Sequence, residues 1–312
     1  MTPKDCKNVI ILTGMSLTLL FSSCEKDDDI PDPVPSPPTQ GALQVTTDWS
    51  ACPDAGLLPS GYILRLGATS QTVKDKVYDY PTLLDPGKYS LLAYNEADRV
   101  TVSGATATID VTADGTLEPL PGYLFSAAAE VGITAGDTLQ ATLKMQPHIR
   151  ELTLKLALAA GDKDRILGTS ATLSGIASAF RLGDGAILST SGASVVPVFS
   201  IIHRDKGRAA GDAFLSATVR IAGIVTGEKQ ELTLAVTLSD GTRQELEADL
   251  SDSLEDFGDE YIPLELEAEL ILPVRAGIGA TIGGWKRTDE YIEIEQGKRN
   301  NHIDKKIIPR TD

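Results

Sequence analysis

Aromatic side chains are scarce in this chain of 312 residues, at 5%, and Trp49 and Trp285 are its only tryptophans. Sugar platforms need exposed flat rings, and both tryptophans fall in strand-like runs, which leans away from glycan binding. Cysteine is as rare: Cys6, Cys24 and Cys52 make no disulfide framework. Histidine occurs as His148, His203 and His302, each alone. Without an HxH or HExxH spacing, metal ligation by histidine is not expected. Basic residues number 28 against 44 acidic ones, a net charge of −16. A phosphate backbone is bound by clustered Lys and Arg, so nucleic acid is not an expected partner. The acidity keeps the protein soluble and specifies no fold. No apolar run reaches the roughly 20 residues of a spanning helix. Helical periodicity is missing too, and only Arg165–Phe180 leaves room for a short helix.

Catalytic patterns are equally thin. The serines form no Gly-x-Ser-x-Gly elbow. The glycine-rich run Gly277-Ile278-Gly279-Ala280-Thr281-Ile282-Gly283-Gly284 resembles a phosphate cradle, but a cradle opens a helix, and Trp285-Lys286 follow instead. It reads as a closing strand packed near Trp285. Asp27-Asp28-Asp29 lie in a proline-rich run that fixes no cage of oxygens for calcium. Ser174-Gly175 read as strand or turn residues. His148 reads as a surface or boundary residue, and His203 as the start of a loop. No catalytic residue, metal site or cofactor is expected, and the chain does not read as an enzyme.

What is present begins with the leader. Lys4 and Lys7 precede an apolar run from Val9 to Phe21, which ends in Leu20-Phe21-Ser22-Ser23-Cys24. A basic start, a short apolar centre and small residues at the end make a secretory signal peptide. The ending resembles the lipobox of bacterial lipoproteins, with Phe21 where Leu is commonest and Ser23 where Gly or Ala is. The resemblance implies that residues 1–23 are removed, that Cys24 is acylated, with palmitate among the expected chains, and that lipid on Cys24 holds the protein to a membrane. The alternative is a secreted protein cleaved near Ser23, with Cys24 incidental. Loss of the leader's net +1 leaves the chain at −17. Cys6 leaves with the leader, so Cys52 has no intramolecular partner and reads as a packed or inert loop cysteine.

Lys26-Asp27-Asp28 resemble the export signal of Bacteroidetes lipoproteins bound for the outer face of the outer membrane. A solvated acidic spacer is the equal alternative. The linker, residues 24–41, contains five prolines and four aspartates. Proline-rich segments favour polyproline II, so this one is a stalk of up to roughly 50 Å at about 3.1 Å per residue.

From Ala42 the pattern has period two. Leu43, Val45, Thr47 and Trp49 alternate with polar residues, as do Leu139, Ala141, Leu143 and Met145. Leu152, Leu154, Leu156 and Leu158 share one face, and so do Leu264, Leu266, Ala268 and Leu270 opposite Glu265, Glu267 and Glu269. Asp240-Gly241 lies between two alternating runs, Leu232–Leu238 and Leu246–Leu250, which is a hairpin signal. The expected fold is all-β and of sandwich type, with antiparallel sheets wetted on one side. Pro147 divides it into an N-terminal β-sandwich, 42–146, and a C-terminal one, 147–286. A polar tail, 287–312, follows, in which Tyr291, Ile292 and Ile294 can add an edge strand.

Several phrases in order carry a family resemblance. Asp85-Pro86-Gly87-Lys88-Tyr89 leads into Leu91-Leu92-Ala93-Tyr94-Asn95. Gly122-Tyr123-Leu124-Phe125-Ser126 follows, then Met145-Gln146-Pro147 before Arg150-Glu151-Leu152-Thr153-Leu154, then Ala171-Thr172-Leu173-Ser174-Gly175-Ile176-Ala177. Over residues 41–285 the chain resembles the fimbrillin-associated anchor group, or fimbrial minor subunits, of Bacteroides-like bacteria. That resemblance implies two tandem transthyretin-like β-sandwiches behind a lipidated N-terminus. It also implies a structural, adhesion-related role as anchor or minor subunit of a cell-surface fimbrium at the outer membrane. The expected partners are fimbrial subunits joined by β-strand pairing, with Tyr291, Ile292 and Ile294 as candidate contacts. The competing role is a surface lipoprotein that binds a ligand or glycan.

Overall fold

The structure, a computed structural model, describes residues 36–203, 213–258, 262–273 and 279–288. The alternating runs fold as strands. In the first half these are β1 (Ala42–Asp48), β2 (Tyr62–Leu66), β3 (Thr69–Val73), β4 (Val77–Asp79), β5 (Gly87–Tyr94), β6 (Val100–Ser103), β7 (Thr106–Ile109), β8 (Phe125–Ile133), β9 (Thr138–Lys144) and β10 (Gln146–Pro147). Successive side chains on a strand face opposite ways, so Leu43, Val45 and Thr47 of β1 all go inward. A three-stranded sheet, β4-β1-β9, faces a five-stranded one, β10-β8-β5-β2-β3. Leu43, Val45, Leu64, Leu91, Phe125, Leu143 and Met145 fill the space between them. Trp49 borders this core and meets Tyr62 and Phe125 edge-on, with ring centroids 6.3 and 5.7 Å away. Cys52 is half-buried beside the same core, and its thiol donates to the Asp54 carbonyl.

The second half contains β11 (Arg150–Leu158), β12 (Ile166–Ile176), β13 (Ala179–Arg181), β14 (Ala193–Val195), β15 (Ser200–His203), β16 (Ala213–Ile221), β17 (Glu231–Leu238), β18 (Arg243–Asp249), β19 (Leu264–Ile271), β20 (Thr281–Ile282) and β21 (Lys286–Arg287). One sheet runs β15-β16-β11-β19-β20, with β21 also paired to β19, and faces a second sheet, β14-β12-β17-β18. Leu152, Leu154, Leu156 and Leu158 are all inward, as their spacing predicts. The hairpin expected around Asp240-Gly241 is β17–β18, paired from Thr237↔Arg243 to Glu231↔Asp249. β20 and the half-buried Trp285 close the core as expected of the glycine-rich run, whose first two residues lie outside the described chain.

The short helix allowed over Arg165–Phe180 is corrected. A 3₁₀ turn, Asp162–Arg165, gives way to an eleven-residue strand, β12. Pairing with β17 from Ile166↔Leu238 to Leu173↔Leu232 decides it, since tertiary pairing overrides weak local preference. Gly175 marks a bulge at the end of this strand, with φ at +73°; a Cβ there would sit 2.4 Å from the Lys229 carbonyl oxygen.

The halves are built alike and are also joined. β1 pairs in parallel with β9 and antiparallel with β4; β11 likewise pairs in parallel with β19 and antiparallel with β16. In addition, β6 and β7 form a ribbon with β13, and Leu117 bridges to Val195. Ala107, Ile109, Leu117 and Leu124, all before Pro147 in sequence, are therefore buried in the core of the second half.

Candidate functional site

The residues singled out for lipid, export and partner contact, namely Cys24, Lys26, Asp27, Asp28, Tyr291, Ile292 and Ile294, lie outside the described residues. So does the Asp27-Asp28-Asp29 run. His203 is the last residue of β15, where the described chain pauses.

The signature phrases, scattered in sequence, meet at one seam between the halves. Asn95, at the end of the first phrase, is buried, and its side chain serves the second. Its Oδ1 accepts from the Phe125 N–H at 2.7 Å, and its Nδ2 donates to the Tyr123 carbonyl at 2.9 Å. Tyr123 then reaches the start of β11. Its hydroxyl donates to Glu151 Oε2 at 3.0 Å, Arg220 pairs with the same oxygen at 3.4 Å, and the guanidinium stacks 4.4 Å over the Tyr123 ring. Arg220 N–H donates to the Pro119 carbonyl at 2.8 Å, so β16 is fastened to the loop before β8. Tyr123 has its pKa raised, first by burial and then by the Glu151 charge.

His148 occupies the boundary as expected, but it is buried, at 5% exposure, not at the surface. Pro147 turns the chain inward between β10 and β11, where the ring packs on Phe180, 5.4 Å between centroids. The Gly183 N–H donates to Ser126 Oγ at 2.7 Å, and Ser126 Oγ lies 2.6 Å from His148 Nε2. The Ser126 oxygen has two lone pairs, so beside the Gly183 bond it can either donate to Nε2 or accept from it, according to the imidazole tautomer. The approach is close: a Cβ on Gly183 would meet Ala128 Cβ at 2.6 Å, and that residue's φ is +97°. Asp184 completes a serine–histidine–aspartate set in composition, but not in chemistry. Its carboxylate is held by Arg181, which depresses its pKa, and Ser126 is 0% exposed, so no substrate reaches the hydroxyl.

Burial pulls the His148 pKa from 6.5 to about 4, against a smaller opposing pull from Asp184. The unfolded chain therefore binds this proton first. The contribution to stability is complete above pH 6.5 and is lost as pH falls to about 4. At 1.36 kcal/mol per unit the loss is about 3 kcal/mol. Urea unfolding followed from pH 7 to pH 4 should show it, and His148→Asn should flatten that slope. Asp184, Asp48, Asp240 and Asp249 have pKa values lowered from 3.8, so their losses come at lower pH.

Arg150 shows what pattern reading overlooked. It takes an inward position of β11, in phase with Leu152, and is 7% exposed. Its guanidinium donates to the Phe257 carbonyl at 2.7 Å and to the Ile262 carbonyl, and stacks 4.8 Å over the Phe257 ring. A charge in the apolar phase of a strand was the available signal.

The sheet edges differ in how they are protected. β18 is studded with Arg243, Glu245, Glu247 and Asp249, the charges that blunt an edge. β9 has seven residues, no proline and one charge, Lys144, and its outer edge has no strand partner among the described residues. β15, at the edge of the other half, exposes Ile201 and Ile202. A depression of about 720 Å³ lies over β19 and is lined by Glu267, Glu269, Gly283, Gly284, Lys286 and Arg287, among others. No cluster of metal-ligating side chains occurs among the described residues, and no helix there is long and apolar enough to cross a membrane.

Known structures share this architecture. The fimbrial anchor protein Mfa2 from Porphyromonas gingivalis superposes with a TM-score of 0.57 at 9% identity, over 80% of this chain and 97% of that one. A Bacteroides ovatus protein designated an adhesin gives 0.53 at 14%, over 82% and 96%. A Bacteroides thetaiotaomicron protein designated polysaccharide-binding gives 0.51 at 12%, over 80% and 99%. Identities this low speak for the fold alone. Among curated proteins none matches the chain in sequence. The profile of one family does, over residues 63–291, a span that holds every residue of the seam; the chain belongs to the fimbrillin-A associated anchor proteins Mfa1 and Mfa2.

Proposed function

We propose that this protein is the anchor or a minor subunit of a cell-surface fimbrium, held to the outer membrane by lipid on Cys24 and exported through Lys26, Asp27 and Asp28. The family match over residues 63–291 carries the reading of a fimbria-associated structural and adhesion role. The order of parts suits it: an apolar leader ending at Cys24, a proline-rich stalk over 24–41, then two sandwiches, 42–146 and 147–286, of transthyretin-like type, the core of the second also taking in Ala107, Ile109, Leu117 and Leu124. Multiple acyl chains hold a protein to a bilayer where one does not.

The neighbouring fimbrial subunit is joined by strand pairing, in which main-chain hydrogen bonds supply affinity without a deep pocket. Two places qualify. One is the tail, where Tyr291-Ile292-Glu293-Ile294 can pair and Lys298, Arg299 and Pro309 resist further extension. The other is an exposed sheet edge, such as that of β9. Deletion of residues 287–312 in the native host should remove this protein from purified fimbriae. Normal incorporation would take the tail out of the mechanism and leave the edge. The ligand-binding alternative becomes the better account if no surface fibre changes when the whole gene is deleted.

A further inference from the structure

We propose that the parallel pairs β1–β9 and β11–β19 are two mechanical clamps in series, which make the folded chain resist tension applied between its N- and C-terminal ends. Tension from the N-terminal side enters β1 at Ala42 and leaves the first half through Lys144, at the end of β9. In a parallel pair those two points lie at opposite ends of the ladder. The pull is therefore along the strands, and it strains all seven residue pairs, from Ala42↔Thr138 to Asp48↔Lys144, at once.

The same construction recurs in the second half. Tension enters β11 at Arg150 and leaves through Ile271, at the end of β19. Seven pairs from Leu152↔Leu264 to Leu158↔Leu270 carry it together. Between the clamps the chain is itself fastened. Met145, His148 and Ile149 are buried, Met145 N–H donates to the Asp48 carbonyl at 2.8 Å, and His148 N–H donates to the Leu124 carbonyl at 2.9 Å. Antiparallel neighbours loaded at one end would instead open one hydrogen bond at a time. Each bond contributes only about 1 kcal/mol net, so sequential opening meets no large barrier. Simultaneous rupture does, and forced unfolding is governed by that barrier.

The C-terminal strip behaves differently. β20 and β21 lie antiparallel to β19 and pair at only two positions each, Leu270↔Ile282 and Ile271↔Thr281, then Leu266↔Arg287 and Glu267↔Lys286. Thr288 returns to the end of β19 where Glu265 lies, so a pull from the tail peels this strip first. Release of residues 272–288 lengthens the chain by on the order of 50 Å, at roughly 3.3–3.6 Å per extended residue, before β19 is loaded.

The direction of pull rests on the anchor reading, but the clamps are tested on the isolated protein and can fail separately from it. The measurement is single-molecule pulling of the full chain carrying Cys6→Ser, Cys24→Ser and Cys52→Ser, with handles at both termini. The comparison keeps the N-terminal handle and moves the other to Asp85→Cys. Gly41 and Leu84 pair antiparallel there, so the second geometry unzips β1 instead of shearing it. At one loading rate the terminal geometry should need at least about twice the force, after an early low-force extension from the strip. Equal forces in the two geometries would overturn the proposal. Lys88→Cys replaces Asp85→Cys should the latter lower the melting temperature, and the same two outcomes decide.

Discussion

Truncating Leu154 to Ala should cost the fold roughly 2–5 kcal/mol, the range for buried large-to-small changes that leave a cavity. Leu154 is 0% exposed at the middle of β11, the strand that pairs with both β16 and β19. Its neighbours across the ladders, Ala217 and Leu266, are buried as well, so little can move in to fill the space. The effect should extend beyond the second half, because Ala107, Ile109, Leu117 and Leu124 share that core. Denaturant unfolding should show a lower midpoint with an unchanged slope. Thr153 points the other way, half-buried with its hydroxyl 2.9 Å from that of Thr218, and Thr153→Ala should cost far less. Equal effects at the two positions would mean that the face of β11 had been assigned wrongly.

Alternation made the strands legible. A side-chain period of two left Leu152–Leu158 and Leu264–Leu270 no other way to bury their apolar faces, and Asp240-Gly241 announced its hairpin. What alternation cannot carry is partnership. Nothing in the spacing of Leu43 or Leu152 indicates that β1 takes its parallel partner at Leu139, or that β11 takes its own at Leu264. Nor does it send β6 and β7 into the core of the other half. β12 escaped notice because Thr169, Ser170 and Gly175 weaken its pattern, and its long pairing with β17 is a tertiary fact. The seam was half legible: its phrases stood out in order, yet the Ser126–His148 contact joins residues 22 apart that no local rule connects. Arg150 broke the apolar phase of β11 in plain sight.

Cys24→Ala should release the protein from membranes into soluble fractions, because acyl chains contribute about 0.8 kcal/mol per buried methylene and the variant has none. The leader motivates this expectation: a short apolar run, a terminal cysteine and acidic residues directly after it. The folded body should be unaffected, since Cys24 lies well before β1. Retention of the variant in detergent-only fractions would show that something other than lipid holds it.

The anchor role itself is tested most directly in the native host, by deleting the gene and counting attached against shed fibres, with wild-type and Cys24→Ala copies restored in turn. A fimbrial anchor predicts fibres shed into the medium in the deletion strain, reattached by the wild-type copy and still shed with Cys24→Ala. Fibres that remain attached and unchanged in number without the gene would contradict it.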